Sequence, residues 1–278
     1  MATPRGEETT VELDGVSLQV FTGGSGPPLL VLHDYEYLNA WQPFLDALAT
    51  DYRVLVPSHP GFGRSSLPPT FDAIDDLAYF YLDLLRAQPD APAHVLGLGF
   101  GGWIAAEVAI RSTQHIAHLV LVDAVGIKVS DPTTRDIVDH FVIGPEEYLR
   151  LSWHDPALGA QRHKLAGLGE LTDDELVTLL RNRQSTALYG WKPFLHNPKL
   201  RPWLRRIDVP TLVLWGESDR VVTPAYGRAW AEAIPGAQFA TIAAAGHYPY
   251  LEQPESFVAA VAAFLATGDR APARPAAR

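Results

Sequence analysis

Short apolar runs at residues 28–33, 52–57, 94–99, 118–125, 210–215 and 238–242 recur between stretches of helical spacing. This alternation constrains the fold more than any other feature of the chain. Strands that are apolar on both faces suit a sheet buried between two helix layers, and strand–helix alternation makes that sheet mostly parallel. Ile74, Leu77, Tyr81, Leu84 and Leu85 follow helical spacing, as do Phe257, Val261, Phe264 and Leu265. These stripes predict core-facing helices behind an N-terminal hairpin. Thr223-Pro224 supplies a further helix start. From about residue 126 to 206 the alternation stops and the pattern reads as all-helical. Pro145 opens one helix there, and Thr172 with Glu175 forms a capping box for another, continued by Leu176, Leu179 and Leu180. The division expected is an α/β core at 1–127 and 206–266, an inserted helical cap at 128–205, and a disordered Ala-, Pro- and Arg-rich tail at 267–278.

With 278 residues, 47% of them hydrophobic and 19% charged, the chain can bury a full core. Its net charge of −10, with 22 Lys and Arg that form no block or stripe, argues against nucleic acid or anionic membrane as partners. Cys is absent, which excludes disulfides, thiolate metal sites and a cysteine nucleophile and fits a cytoplasmic setting. The polar start has no signal-peptide plan, and no apolar run is long enough to span a bilayer. No Gly-rich dinucleotide fingerprint and no helix-spaced ligand pair is present, so neither a cofactor nor a metal is expected. The partners admitted are a small-molecule substrate and a second copy of the chain in a homodimer.

Five segments then fall in a telling order: Leu32-His33-Asp34 after the first parallel strand, Pro60-Gly61-Phe62-Gly63-Arg64-Ser65, Gly97-Leu98-Gly99-Phe100-Gly101-Gly102 between a strand and a helix, Gly216-Glu217-Ser218-Asp219 at a later strand end, and Gly246-His247-Tyr248-Pro249 before the last helix. Together they resemble the α/β-hydrolase superfamily over residues 9 to 266. The resemblance implies the α/β-hydrolase fold, with the order nucleophile elbow, acid, histidine. By this resemblance Asp219 and His247 are the acid and base, and Gly99 stands where the nucleophile belongs. The backbone N–H groups of Phe100 and Tyr35 are then the expected oxyanion hole.

Four positions depart from the pattern. Gly99 replaces the nucleophile, Leu98 precedes it, Asp34 replaces the glycine of a His-Gly pair, and Ser58 opens the glycine turn. Glycine relieves the strain of a sharp elbow, but it cannot attack a carbonyl. An acyl-enzyme at position 99 is therefore excluded. Gly99→Ser should put a hydroxyl back within reach of His247. What remains is a His247–Asp219 dyad able to act as general base and acid, or to activate water, beside the oxyanion hole.

His33 reads as a brace for its loop, Ser65 as a turn hydroxyl, and Asp34 and Glu36 as solvated or loop-bracing carboxylates. His33, Asp34, Trp153 and Trp191 are the expected pocket lining. The function expected is an enzyme acting on a small apolar substrate without a serine nucleophile. Its reaction would be lyase-type, oxygenase-type or water-mediated hydrolysis, carbon–carbon bond hydrolysis included. The alternatives are a non-catalytic ligand-binding homologue and a serine hydrolase carrying an engineered Ser-to-Gly knockout.

Overall fold

The apolar runs become strands, and the striped segments become the helices that cover them. The computed structural model describes residues 6–35, 41–89, 92–162 and 171–267. In chain order the first elements are β1 (Glu7–Leu13), β2 (Val16–Gly23), β3 (Pro28–Leu32), α1 (Pro43–Leu48), β4 (Arg53–Pro57), α2 (Ile74–Arg86), β5 (Ala93–Leu98), α3 (Phe100–Arg111) and β6 (Ile116–Val122). They are followed by α4 (Pro145–Ser152), α5 (Pro156–Arg162), α6 (Asp173–Gly190), β7 (Thr211–Gly216), α7 (Pro224–Ala233), β8 (Gln238–Ile242), α8 (Pro249–Glu252) and α9 (Pro254–Leu265). One sheet runs in the order β1-β2-β4-β3-β5-β6-β7-β8. β2 is antiparallel to both β1 and β4, and the pairs from β4 across to β8 are parallel. This is the α/β-hydrolase fold.

The two-sided apolarity of the central strands has a direct cause. Successive residues point to opposite faces, so Val95, Leu119, Leu121, Val213 and Trp215 join one core cluster with Leu77 of α2, Ile104 of α3 and Trp230 of α7. Leu96, Leu98, Val120, Val122, Leu212 and Leu214 join the other, with Leu45 of α1 and Phe257 of α9. α3 is buried from Phe100 to Ala109, which makes it a rigid support for the turn at its N-terminus.

Three local expectations need correction. The run at 118–125 becomes a strand only to Val122, because Asp123 turns to φ +43°, a left-handed backbone that no strand continues through. The stretch before Pro145 is irregular rather than helical. There the Asp136 carboxylate accepts from the backbone N–H groups of Val129 and Ser130, and Asp131 binds Thr133 and Thr134, so side chains satisfy groups that a helix would have paired. Thr223 precedes Pro224 as expected, but its hydroxyl makes no capping bond.

The capping box of Thr172 and Glu175 forms as read. Of the expected tail, Thr267 is held by its hydroxyl on Phe264 O, and 268–278 lie outside the described residues. Among the described residues no helix is long and apolar enough to cross a membrane.

Candidate active site

The carboxyl ends of β3, β5, β6 and β7 and the loop after β8 deliver His33-Asp34, Gly99, Asp123, Asp219 and His247. The C-terminal edge of a parallel sheet is where ligands bind in such folds. At the end of β7, Gly216 lies so close to the histidine loop that a Cβ would overlap Gly246 O, which brings the acid and histidine loops together. Asp219 then accepts from Val221 N–H at 2.7 Å and Val222 N–H at 3.1 Å through Oδ1. Its Oδ2 accepts from His247 Nδ1–H at 2.8 Å. His247 is itself fixed by its N–H on Ser152 O at 2.7 Å. The fold thus brings Asp219 and His247 together, and both side chains are buried.

Asp34 is not solvated. Its residue is 3% exposed, and its carboxylate lies inside the site. Oδ1 accepts from Phe100 N–H at 2.8 Å, and Oδ2 lies 3.8 Å from His247 Nε2. The Phe100 N–H, expected to be open to a substrate oxyanion, is already given to a carboxylate. Gly99 explains how this is possible. It caps α3 with φ +50° and ψ −109°, and a Cβ there would overlap Asp34 Oδ1 and Cγ and lie 2.9 Å from Oδ2. A side chain at position 99 and the Asp34 carboxylate would occupy one space.

His33 is tied into its loop by hydrogen bonds at both ring nitrogens. Its Nε2 accepts from His59 N–H at 3.1 Å, so its proton is on Nδ1, which donates to Asp34 O at 2.7 Å. His59 stacks on it with ring centroids 3.9 Å apart, donates Nε2–H to His33 O and accepts from the Tyr81 hydroxyl at Nδ1. Burial drives the His33 pKa down to about 4 and that of His59 well below 6.5, so both rings stay neutral. Ser65 is equally committed: its hydroxyl donates to Ser58 O at 2.6 Å and accepts from Gln19 N–H at 3.0 Å.

The two expected pocket tryptophans are placed otherwise. Trp153 has no exposed surface and packs behind the histidine loop against Tyr248, because its neighbour Ser152 must reach His247 N–H. Trp191 ends α6, is half exposed, and packs on Phe141 and Phe194 within the 128–205 segment. Glu36 lies outside the described residues.

Sequence reasoning passed over Asp123. It is buried at the end of β6, and its Oδ1 accepts from Gly216 N–H at 2.8 Å. Burial, and then the charge of Asp219 beside it, push its pKa well above the ordinary carboxylate value, which favours the neutral form of Asp123. A lone carboxylate closing an apolar strand, Leu121-Val122-Asp123, was the available signal. Also unread was a buried hydroxyl chain: Tyr148 OH lies 2.9 Å from Tyr35 OH and 2.8 Å from Tyr248 OH.

Asp123, Asp219 and His247 place ligand atoms within 4.8 Å of one another. However, the 2.8 Å between Nδ1 and Oδ2 is a hydrogen-bond distance. Two ligands on a tetrahedral zinc ion stand about 3.3 Å apart. The donor set is that of a proton-sharing cluster.

The alpha/beta hydrolase family model matches residues 24–261. Over 253 residues the chain is 27% identical to the pimeloyl-[acyl-carrier protein] methyl ester esterase of Photobacterium profundum, covering 88% of this chain and 96% of that one. It is 28% identical over 271 residues to part of polyketide synthase ThaQ of Burkholderia thailandensis, covering 90% of this chain but spanning only 12% of that protein's length. Among solved structures it is similar to esterase RhEst1 from Rhodococcus sp. ECU1013, with TM-score 0.71 and 27% identity, over 96% of this chain and all of that one (100%).

Proposed function

The chain belongs to the alpha/beta hydrolase family, and from that premise we propose that it is an enzyme working from the His247–Asp219 dyad without an acyl-enzyme at position 99. The observation that carries this reading is the dyad itself. Asp219, anchored by two backbone N–H groups, holds the Nδ1–H of a buried His247 whose Nε2 faces the position 99 turn across 3.8 Å to Asp34. With Nδ1 donating to Asp219, Nε2 is the nitrogen that takes a proton in this reading.

The Phe100 N–H that an enolate or tetrahedral oxyanion of the substrate would use is holding a carboxylate. Any substrate anion that forms there, an enolate or the tetrahedral oxyanion of hydrolysis alike, meets that carboxylate, so this donor does not choose among the reaction types. The reading taken is hydrolysis by a water that His247 deprotonates, on a small and mostly apolar substrate. An engineered Ser-to-Gly knockout fits poorly, since a serine Cβ at 99 would overlap Asp34.

The test is a ligand-retention screen by native mass spectrometry on the wild-type protein and His247→Ala, followed by assay of retained compounds. The variant should lose about 10²–10⁴ in kcat/KM, the range of general acid–base catalysis. Retention of ligand without turnover in the wild type, unchanged by the substitution, would replace the enzyme by a binding protein.

A further inference from the structure

Helix α6 presents its polar and apolar sides in the opposite sense to a helix that only covers a core. Its inward face is largely polar. Asn182 Oδ1 accepts from Gly63 N–H at 2.9 Å, Ser185 Oγ donates to Gly61 O at 2.8 Å, and Tyr189 OH donates to Pro60 O at 3.1 Å. Arg181 donates to Gly61 O and Ser65 O. The outward face is apolar: Val177 is 63% exposed, Leu180 56%, Leu188 41% and Trp191 51%. A surface helix ordinarily turns its apolar stripe inward, and a contiguous exposed one marks a contact surface.

The spacing of that face identifies what fits it. With Gln184, also exposed, its positions are 177, 180, 184, 188 and 191. The steps of three, four, four and three residues read the same in both directions. In a helix of 3.6 residues per turn all five fall within an arc of about 80°, along a stripe about 21 Å long. Trp191 keeps helical backbone angles, φ −78° and ψ −32°, so it continues the line. A stripe that is its own reverse is complementary to a second copy lying antiparallel across it. On a two-fold axis through Gln184, Leu180 of each copy meets Leu188 of the other, and Val177 meets Trp191. Phe141, packed on Trp191, and the exposed Val142 next to it widen the apolar surface at that end.

The charges at the two ends are complementary in the same arrangement. Asp173 and Asp174 open the helix and Lys192 follows the stripe at its far end, all three exposed. Antiparallel pairing brings Asp174 of each copy beside Lys192 of the other, twice by symmetry, whereas parallel pairing would set like charge against like. Gln184 against its own copy is a polar residue at the centre of an apolar seam, a device that fixes register. A lipid surface would reward an uninterrupted stripe with basic flanks, and this one is broken by a glutamine and acidic at one end. We propose that the chain forms a two-fold homodimer through the outward face of α6, whatever reaction the dyad carries out.

The experiment is sedimentation velocity on the full-length chain over a hundredfold range of concentration at low ionic strength. The mass should rise from the monomer's 30.4 kDa toward twice that value. Leu180→Glu sets a carboxylate into both halves of the seam and should raise Kd by more than about tenfold, with circular dichroism unchanged because the position is exposed. Asp174→Lys and Lys192→Glu should each weaken the dimer alone. An equimolar mixture of the two should restore it, since both ion pairs are then of opposite sign. The chain has no Cys, so Gln184→Cys offers a single thiol at the axis and should form a disulfide-linked dimer on oxidation. Gln114→Cys, exposed on the loop after α3, should not. A monomer at every concentration, a dimer that Leu180→Glu leaves intact, or a mixture no tighter than its parts overturns the proposal. If the monomer instead floats with phosphatidylcholine vesicles and Leu180→Glu abolishes that, the face belongs to lipid and the second copy is overturned.

Discussion

Position 99 has a backbone, φ +50° with ψ −109°, at which any residue other than glycine is strained by roughly 1–3 kcal/mol. Here a second cost is added, because a serine side chain must also displace the Asp34 carboxylate. The structure therefore reverses the expectation that Gly99→Ser alone restores a reactive hydroxyl. The single variant should be less stable than wild type by at least about 2 kcal/mol and remain unlabelled by a fluorophosphonate. Adding Asp34→Gly should recover part of that stability, with a coupling of about 0.5–3 kcal/mol as expected for residues in contact, and admit the label. Denaturant titration and intact mass read both quantities, and equal labelling of single and double variants would show that Asp34 does not hold the seat. The two buried acids differ as sharply. Burial favours the neutral form of Asp123, so Asp123→Asn should leave turnover within a few-fold of wild type. Asp219→Asn removes the carboxylate that orients His247 and should cost about 10²–10⁴ in kcat/KM. The opposite ranking in a steady-state assay would make Asp123 the acid of the dyad. In the sequence Asp219 was legible from its loop motif. The neutral preference of Asp123 was not, because it arises from burial against a strand that lies far along the chain.

At the scale of elements, the site is held together by ties that cross between segments. Glu252 of α8 accepts from Gly246 N–H at 2.6 Å, from His154 N–H at 2.9 Å and from Asp155 N–H at 3.0 Å, so one carboxylate joins the histidine loop to the segment after α4. The Tyr35–Tyr148–Tyr248 hydroxyl chain does the same for the loop after β3, for α4 and for the residue following His247. Tyr148→Phe deletes the central hydroxyl and both of its links. It should destabilise the fold by about 1–3 kcal/mol, the usual cost of leaving buried polar groups without a partner. At roughly 2–4 °C per kcal/mol for a chain of this size, the fall in Tm is readily measured by calorimetry. An unchanged Tm would show that water or a neighbour replaces the tyrosine without loss. None of these ties has a local signature. A tyrosine on an amphipathic helix looks the same whether its hydroxyl meets solvent or another tyrosine about a hundred residues away.

For the molecule as a whole, the neutral His33–His59 pair ties stability to pH. Burial lowers the His33 pKa from 6.5 to about 4 and moves His59 in the same direction. The unfolded chain therefore binds protons that the fold refuses once the pH drops below about 6.5. The contribution is complete above 6.5 and is lost as pH falls toward 4, about 3 kcal/mol for His33 alone. Asp123 acts with the opposite sign, since the fold holds its proton more tightly than the unfolded chain does. Urea midpoints should accordingly decline from pH 7.5 to 4.5, and a flat profile would mean that the histidine pair is charged or exposed. The sheet and its two helix layers could be read from the chain, because strand and helix periods and turn residues are local and repeat within a few residues, whereas the order of elbow, acid and histidine came from the resemblance of five short motifs to the α/β-hydrolase superfamily. The irregular segment before α4 could not, since Asp136 and Asp131 rewire its backbone through side-chain bonds that compete with a helix. The chemistry of the site was decided still further from local pattern. Position 34 read as a loop carboxylate and position 99 as a lost nucleophile. Only the close approach of the ends of β3 and β5 made them one feature, a charge lodged on the first N–H of α3 in the volume that a side chain would have filled.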